Sequence, residues 1–117
     1  MKDPSPRDEA VLAVVARIPR GRLTSYGDIA ALLSEWDVAC TPRQVAGALA
    51  RYGAGVPWWR VVQSAGTLAP AVAEEAAERL RAEGIAVRGR RVPLGQARWM
   101  PDVTAPPAPL LGGGAGG

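Results

Sequence analysis

The chain has 117 residues, of which 48% are hydrophobic and 21% charged, and its formal net charge is +3. This length and balance predict one small folded domain and exclude a wholly disordered chain, and no hydrophobic run approaches the about 20 residues of a membrane span. Because the chain has no histidine and one cysteine, it cannot form an internal disulfide, a Ser-His-Asp or Cys-His catalytic site or a histidine metal site, and we expect no metal or cofactor.

The N-terminal residues and the cysteine count predict a cytoplasmic protein. Residues 1–6 contain no apolar stretch before the first acidic residue, unlike a secretory signal peptide. All 14 basic residues except Lys2 are arginines. Arginine suits bidentate contacts with phosphates and bases, but GC-rich coding would produce the same bias, so individual positions must decide between the two explanations.

A first helix is predicted to begin at the N-cap Ser5 and to end at Pro19 and Gly21. Ser5 and Asp8 have the spacing of a capping box, and Pro6 occupies the first helical position. Apolar residues at helical spacing form one buried stripe: Val11, Val14, Val15 and Ile18. The proline and the glycine that follow are expected to end the helix.

Two further helices have the arrangement of a helix-turn-helix. The second begins within residues 24–28, where Ser25 and Asp28 form another capping-box pair, and residues 34–41 connect it to the third. Thr41 is the N-cap of the third helix and Pro42 its first residue. Such helix pairs bind DNA in some proteins and merely pack together in others, so this pattern alone leaves both interpretations open.

The second half of the domain is predicted to contain a short strand, one helix and a hairpin. Residues 61–62 form a buried strand or extended segment, and residues 85–94 form a small hairpin that carries three arginines. A fourth helix covers residues 70–83 and turns five apolar side chains inward: Val72, Ala73, Ala76, Ala77 and Leu80. Trp99 is expected to anchor the end of the domain in the core. We predict a domain over residues 1–103 and a disordered tail rich in Pro and Gly over residues 104–117.

Three motifs, in this order along the chain, resemble one protein family. They are IPRGRLTSYGDIA at residues 18–30, PRQVAGAL at residues 42–49 and VPWWRVV at residues 56–62. Together they resemble the C-terminal DNA-binding domain of the O6-alkylguanine-DNA alkyltransferases, and the similarity covers residues 10 to about 84. The resemblance implies a mainly α fold with a small β element, that is, a winged-helix-like helix-turn-helix domain.

The third motif departs from that of the active alkyltransferases at its centre. The active enzymes carry Pro-Cys-His-Arg-Val, whose cysteine takes the alkyl group, whereas Trp58 and Trp59 stand at the cysteine and histidine positions here. An indole has neither a nucleophilic sulfur nor a proton of suitable pKa. We therefore expect no catalytic residue and no alkyl transfer. The chain resembles instead the alkyltransferase-like proteins, which bind the alkylated base without repairing it.

The resemblance also implies a base-flipping site. Tyr26 matches the tyrosine that pushes on the phosphate as the nucleotide rotates out of the duplex, and Arg43 matches the arginine finger that enters the base stack through the minor groove. Trp58 is expected to form the floor of the lesion pocket, while Trp59 is either pocket wall or core. Three further residues are expected to line the pocket: Val61, Val62 and Ser64.

Other residues are expected to complete the DNA surface and to support the pocket. Thr41, Gln44 and Gly47 belong to the DNA-binding helix, where Gly47 permits a close approach either of DNA or of the core. Arg60 and Glu83 are expected to support the pocket structurally, with Glu83 paired to Arg60 or to another arginine. The only cysteine, Cys40, lies outside the nucleophile motif and is expected to be a small buried residue.

The resemblance implies a non-enzymatic sensor of DNA damage, which we expect to be a monomer. It would bind double-stranded DNA that contains O6-alkylguanine, in the cytoplasm at the nucleoid, and block the lesion or flag it for nucleotide excision repair. One alternative is a helix-turn-helix transcriptional regulator, although only Gln44 and Arg51 are further base-reading candidates along the third helix. The other alternative is a residual alkyltransferase that uses Cys40.

Overall fold

Each of the first three helices starts at a capping box. In the computed structural model, which describes residues 3–99, α1 spans Pro6–Val15, α2 spans Tyr26–Glu35 and α3 spans Pro42–Tyr52. At each start, the N-cap side chain accepts a hydrogen bond from the backbone N–H three residues later, and that later residue's side chain accepts one from the N-cap N–H. These bonds satisfy backbone donors that a helix start would otherwise leave without partners.

A small parallel sheet joins the helices to the second half of the chain. Strand β1 (Thr24–Ser25) pairs with β2 (Val61–Val62). Two more helices follow, α4 (Ala73–Ala82) and the short α5 (Leu94–Ala97). Three 3-10 turns connect these elements within the described residues: Gly53–Gly55, Trp58–Arg60 and Pro70–Val72.

Two hydrophobic clusters meet at the VPWWRVV motif. The first cluster packs α1, α2 and α3 together, and the second lies beneath α4 and extends to Leu94. Val61 belongs to the first cluster and Val62 to the second, because successive strand residues face opposite sides. Trp58 packs against both clusters. The motif is therefore anchored at the junction between the two halves of the core.

The first helix ends earlier than predicted. α1 stops at Val15, and the N–H groups of Arg17 and Ile18 then donate to carbonyls three residues earlier, at 3.0 and 3.1 Å. This is the tighter 3-10 pattern that often closes a helix. Because Pro19 disfavours helical backbone at the residue before it, the chain leaves the helix here while Ile18 stays buried.

The predictions for the segments on both sides of α4 are partly wrong. Residues 70–72 form a 3-10 turn rather than the first turn of the helix, so Val72 is 39% exposed instead of inward-facing. Residues 85–94 contain no regular strand pair: Arg88 and Arg91 form an isolated bridge around Gly89, whose φ of +59° favours a tight turn. Trp99 packs on the first cluster, as predicted, and its backbone N–H donates to the Leu23 carbonyl at 2.7 Å.

The ends of the chain lie outside the described residues. The predicted domain end at residue 103 and the predicted tail at residues 104–117 therefore stay predictions. Between residues 3 and 99, no helix has the length and apolar character needed to cross a membrane. The same residues contain no group of three or more His, Cys, Asp or Glu side chains that could hold a metal ion.

Candidate functional site

A cavity of about 400 Å³ opens beside Trp58, between α3 and the segment that precedes α4. Cavities of roughly 300–1,000 Å³ are typical of small-molecule sites in proteins. Nine residues line this cavity: Tyr26, Ala46, Leu49, Ala50, Ala54, Trp58, Ala69, Ala71 and Val72. The lining side chains are aliphatic apart from Tyr26 and Trp58. The cavity is therefore suited to a largely apolar group.

The two aromatic residues of the cavity wall are held by local structure. Tyr26 is the first residue of α2, where the capping box between Ser25 and Asp28 orders the backbone. Burial raises the pKa of the Tyr26 phenol above its ordinary value, so the hydroxyl is neutral near pH 7 and can donate a hydrogen bond. Trp58 begins the 3-10 turn, in which the Arg60 N–H donates to the Pro57 carbonyl at 3.0 Å.

Arg43 lies on the same face of α3 as the cavity wall. Residues three and four positions apart are neighbours on a helix surface, so Arg43, Ala46 and Ala50 form one row. Arg43 is exposed, and its position in the first turn of α3 opposes the helix dipole. A Cβ added at Gly47 would meet only the far end of Arg51, at 3.5 Å from its Nη2. Packing within the chain therefore does not require this glycine.

The side chains of Thr41 and Gln44 cap the start of α3. Thr41 Oγ1 accepts a hydrogen bond from the Gln44 N–H at 3.1 Å, and Gln44 Oε1 accepts one from the Thr41 N–H at 2.9 Å. Thr41 is exposed and Gln44 is half-buried. These bonds hold the helix start that carries Arg43.

The buried carboxylate of Glu83 holds the turn Trp58–Arg60, here called the WWR turn, in place. Glu83 Oε2 accepts hydrogen bonds from Arg60 Nη2 at 2.8 Å and Trp59 Nε1 at 2.7 Å, and Oε1 accepts one from the Gly21 N–H at 2.8 Å. The Arg60 and Glu83 side chains are 14% and 4% exposed. Burial raises the pKa of Glu83, but hydrogen bonds from Arg60, Gly21 and Trp59 outweigh it, so this pKa lies below its ordinary value. The carboxylate is therefore charged and fixed in place.

Trp59 belongs to this network and to the core rather than to the cavity wall. It packs on the second cluster and lies edge-to-face with Trp58, with 5.8 Å between the ring centroids. The guanidinium carbons of Arg79 and Arg60 lie 4.6 and 5.5 Å from the Trp59 ring centroid. With no histidine at this position, the indole N–H supplies a hydrogen bond to Glu83.

Three other expected pocket residues do not line the cavity. Val61 and Val62 are only 3% and 0% exposed, because β2 is covered on both faces by the two hydrophobic clusters. Ser64 is exposed, and a Cβ added at Gly27 would lie 3.1 Å from its Oγ. Cys40 is half-buried rather than buried, and burial raises the pKa of its thiol. It is also absent from the cavity wall.

Sequence reasoning missed most of the wall of the cavity. On α3, the wall residues Ala46, Leu49 and Ala50 follow helical spacing, and this apolar row could have indicated a second covered face. The segment before α4 contributes Ala69 and Ala71 from a turn. Small apolar residues in a turn carry no pattern that distinguishes a cavity wall from an ordinary connection.

The chain is similar to known proteins in sequence and in structure. Residues 6–85 match the family model described as "6-O-methylguanine DNA methyltransferase, DNA binding domain". The "DNA base-flipping protein" of Escherichia coli (strain K12) is 38% identical over 96 residues, which cover 78% of this chain and 72% of that protein. The protein of the same name from Vibrio parahaemolyticus is 32% identical over 96 residues, covering 78% of this chain and 93% of that one.

Two solved structures are also similar. One is S. pombe Atl1 in complex with damaged DNA containing O6-carboxymethylguanine, with a TM-score of 0.73 and 28% identity over 86% of this chain and 100% of that one. The other is S. pombe ATL in complex with DNA, with a TM-score of 0.68 and 28% identity over 80% of this chain and 94% of that one. These matches confirm the predicted resemblance and the mostly helical helix-turn-helix fold with its small sheet.

Proposed function

Because the chain belongs to the family of the 6-O-methylguanine DNA methyltransferase DNA-binding domain, we propose that it binds O6-alkylguanine in double-stranded DNA. It holds the base rotated out of the duplex and leaves the alkyl group in place. The observation that carries this proposal is the apolar cavity with Tyr26 and Trp58 in its wall. The relatives named base-flipping proteins, and the Atl1 complex with damaged DNA, support it.

In this proposal α3 enters the minor groove and the cavity receives the base. At Gly47 an added Cβ would meet no backbone of another element within 4 Å. The missing side chain lets the helix approach the duplex closely, beside Thr41 and Gln44. Arg43 fills the space that the base vacates, because a planar guanidinium can stack and donate hydrogen bonds at once. The neutral Tyr26 hydroxyl donates to a phosphate. Flipping costs a few kcal/mol and is least costly for a weakened pair, such as one with an alkylated guanine.

The side chains at the cavity supply no nucleophile for alkyl transfer. Trp58 has no thiol, and burial keeps the Tyr26 phenol protonated near pH 7. The indole N–H of Trp59 is hydrogen-bonded to Glu83. Cys40 lies outside the cavity wall, and its raised pKa keeps it mainly a thiol at neutral pH. A protein that binds a lesion without repairing it leaves the removal of that lesion to other proteins. We propose that this monomer, acting at the nucleoid, marks the site for nucleotide excision repair, which removes the damaged nucleotides themselves.

The proposed function predicts tighter binding to damaged DNA with no change in the protein. Fluorescence anisotropy with two duplexes that differ only by O6-methylguanine or guanine measures the preference, and intact-protein mass spectrometry after incubation measures transfer. We expect the lesion duplex to bind more tightly and the protein mass to stay the same. A mass gain of one methyl group in place of hydrogen would show alkyl transfer. A preference for one undamaged sequence among scrambled duplexes would favour a transcriptional regulator.

A further inference from the structure

We infer that the cavity selects O6-alkylguanines whose alkyl group carries no charge, and that residues 69–72, here called the lip, set this selectivity. Because the selectivity concerns the base that the cavity would hold, it rests on the proposed function. Ala69, Ala71 and Val72 of the lip form the wall opposite α3.

The cavity offers an alkyl group apolar surface and no opposite charge. Its only polar side chains, Tyr26 and Trp58, present neutral groups. An uncharged alkyl chain is stabilised there because it leaves water for an apolar surface. A carboxylate at the same place would lose its hydration without gaining an ion pair, which is costly in a site of low polarity.

The described charges near the cavity do not provide a counter-ion. Residues 61–78 carry three acidic side chains and no basic one. The Arg79 guanidinium lies 5.9 Å from the Trp58 ring centroid but outside the cavity wall, and it pairs with Glu75 at 3.0 Å. It also stacks on Trp59, 4.6 Å from the ring centroid, so these contacts hold the guanidinium outside the cavity wall. Arg43 lies about one helical turn before Ala46, the first wall residue of α3. In the proposed function Arg43 enters the DNA base stack, so it is not the counter-ion of the alkyl group.

The start of α4 does not supply an anion site either. The 3-10 turn of the lip uses two of the four amides that a helix start would otherwise leave open: the Val72 N–H donates to the Ala69 carbonyl at 3.2 Å, and the Ala73 N–H donates to the Pro70 carbonyl. Two acidic residues, at positions 74 and 75, occupy the first turn of α4. A further negative charge at this point would meet like charges.

The fold itself does not exclude a duplex with a charged lesion. S. pombe Atl1, which shares this fold, is in complex with DNA that contains O6-carboxymethylguanine. Selection against such a group in this chain therefore comes from side chains of its own cavity. The lip is where a charge can be added, since Val72 is 39% exposed and has room for a longer side chain.

The test compares duplexes that differ at one position: guanine, O6-isobutylguanine and O6-carboxymethylguanine. The isobutyl and carboxymethyl groups have the same number and branching of heavy atoms, so they differ mainly in charge. By anisotropy, we expect the isobutyl duplex to bind at least about tenfold more tightly than the carboxymethyl duplex. Equal affinities of these two duplexes, both above that of guanine, would overturn the selectivity and leave the proposed function standing. If no lesion duplex exceeded guanine, the proposed function itself would fail.

Charge-adding variants test whether the lip is responsible. Val72→Arg and, independently, Ala71→Arg are expected to reduce the isobutyl-to-carboxymethyl affinity ratio at least about threefold, because each brings a cation to the carboxylate. Ala16→Arg is the charge-matched control, since this exposed residue at the end of α1 lies outside the cavity wall and should leave the ratio unchanged. If both lip variants, folded by circular dichroism, kept the wild-type ratio, the lip would not be the determinant.

Discussion

Glu83→Ala is expected to lower the free energy of unfolding by about 3–5 kcal/mol, because it removes one partner of a buried ion pair. The Glu83 and Arg60 side chains are 4% and 14% exposed, so the guanidinium would stay buried without its counter-charge. The indole N–H of Trp59 and the backbone N–H of Gly21 would lose their acceptor too. Urea unfolding followed by circular dichroism measures the change as a lower midpoint at unchanged slope.

Glu75→Ala provides the matched control for this variant. Glu75 also pairs with an arginine, but the Arg79 and Glu75 side chains are 47% and 59% exposed. Exposed pairs contribute up to about 1 kcal/mol, so this variant should stay close to the wild type. If Glu83→Ala cost no more than Glu75→Ala, the carboxylate would not be what holds the WWR turn in place.

The pH dependence of stability gives the same test without truncating a side chain to alanine. Because the pKa of Glu83 is lower in the folded protein, the folded state binds this proton more weakly than the unfolded state. The stabilisation is complete above the unfolded pKa of about 4.3 and is lost as the pH falls through the folded value. The difference in stability between the wild type and Glu83→Gln should therefore shrink in acid.

Arg43→Ala is expected to weaken binding to an O6-methylguanine duplex by about 1–3 kcal/mol and to weaken binding to the guanine duplex less. The reason is that Arg43, on the same helix face as the cavity wall, fills the gap only when a base has left the stack. Arg88→Ala is the matched control, since this exposed arginine lies in the turn after α4. Loss of a phosphate contact there should affect both duplexes alike and reduce the salt slope by about one.

A salt titration of both variants on both duplexes separates these roles. If Arg43→Ala weakened both duplexes equally and changed the salt slope, Arg43 would be an ordinary phosphate contact. Base flipping would then depend on Tyr26 and the cavity alone.

Local sequence patterns predicted where the helices start. Which side chains line the site depends on packing between residues that are distant in the sequence. The capping boxes at Ser5 and Ser25 could be predicted because their partners lie three residues away. The hydrogen bond from Trp59 to Glu83 spans 24 residues, and no local pattern indicates whether an aromatic side chain meets the core or a cavity. A two-residue strand such as Val61–Val62 does not reveal that both of its faces are covered.

The cavity was only half predictable for a similar reason. The resemblance to the alkyltransferases pointed to Tyr26 and Trp58, and both lie in the cavity wall. The lip could not be predicted, because the pattern of residues 70–83 favours one continuous helix with Val72 inward. In the structure Pro70 begins a separate 3-10 turn, and the start of α4 moves to Ala73.

A crystal structure of the protein with a duplex containing O6-methylguanine tests base flipping into the cavity most directly. We expect the modified base outside the stack, its ring against Trp58 and its methyl group, still attached, against the lip, with Arg43 in the vacated space. An O6-methylguanine that remains stacked in the duplex and paired with its partner base, while the protein contacts only the backbone, would contradict the proposed function.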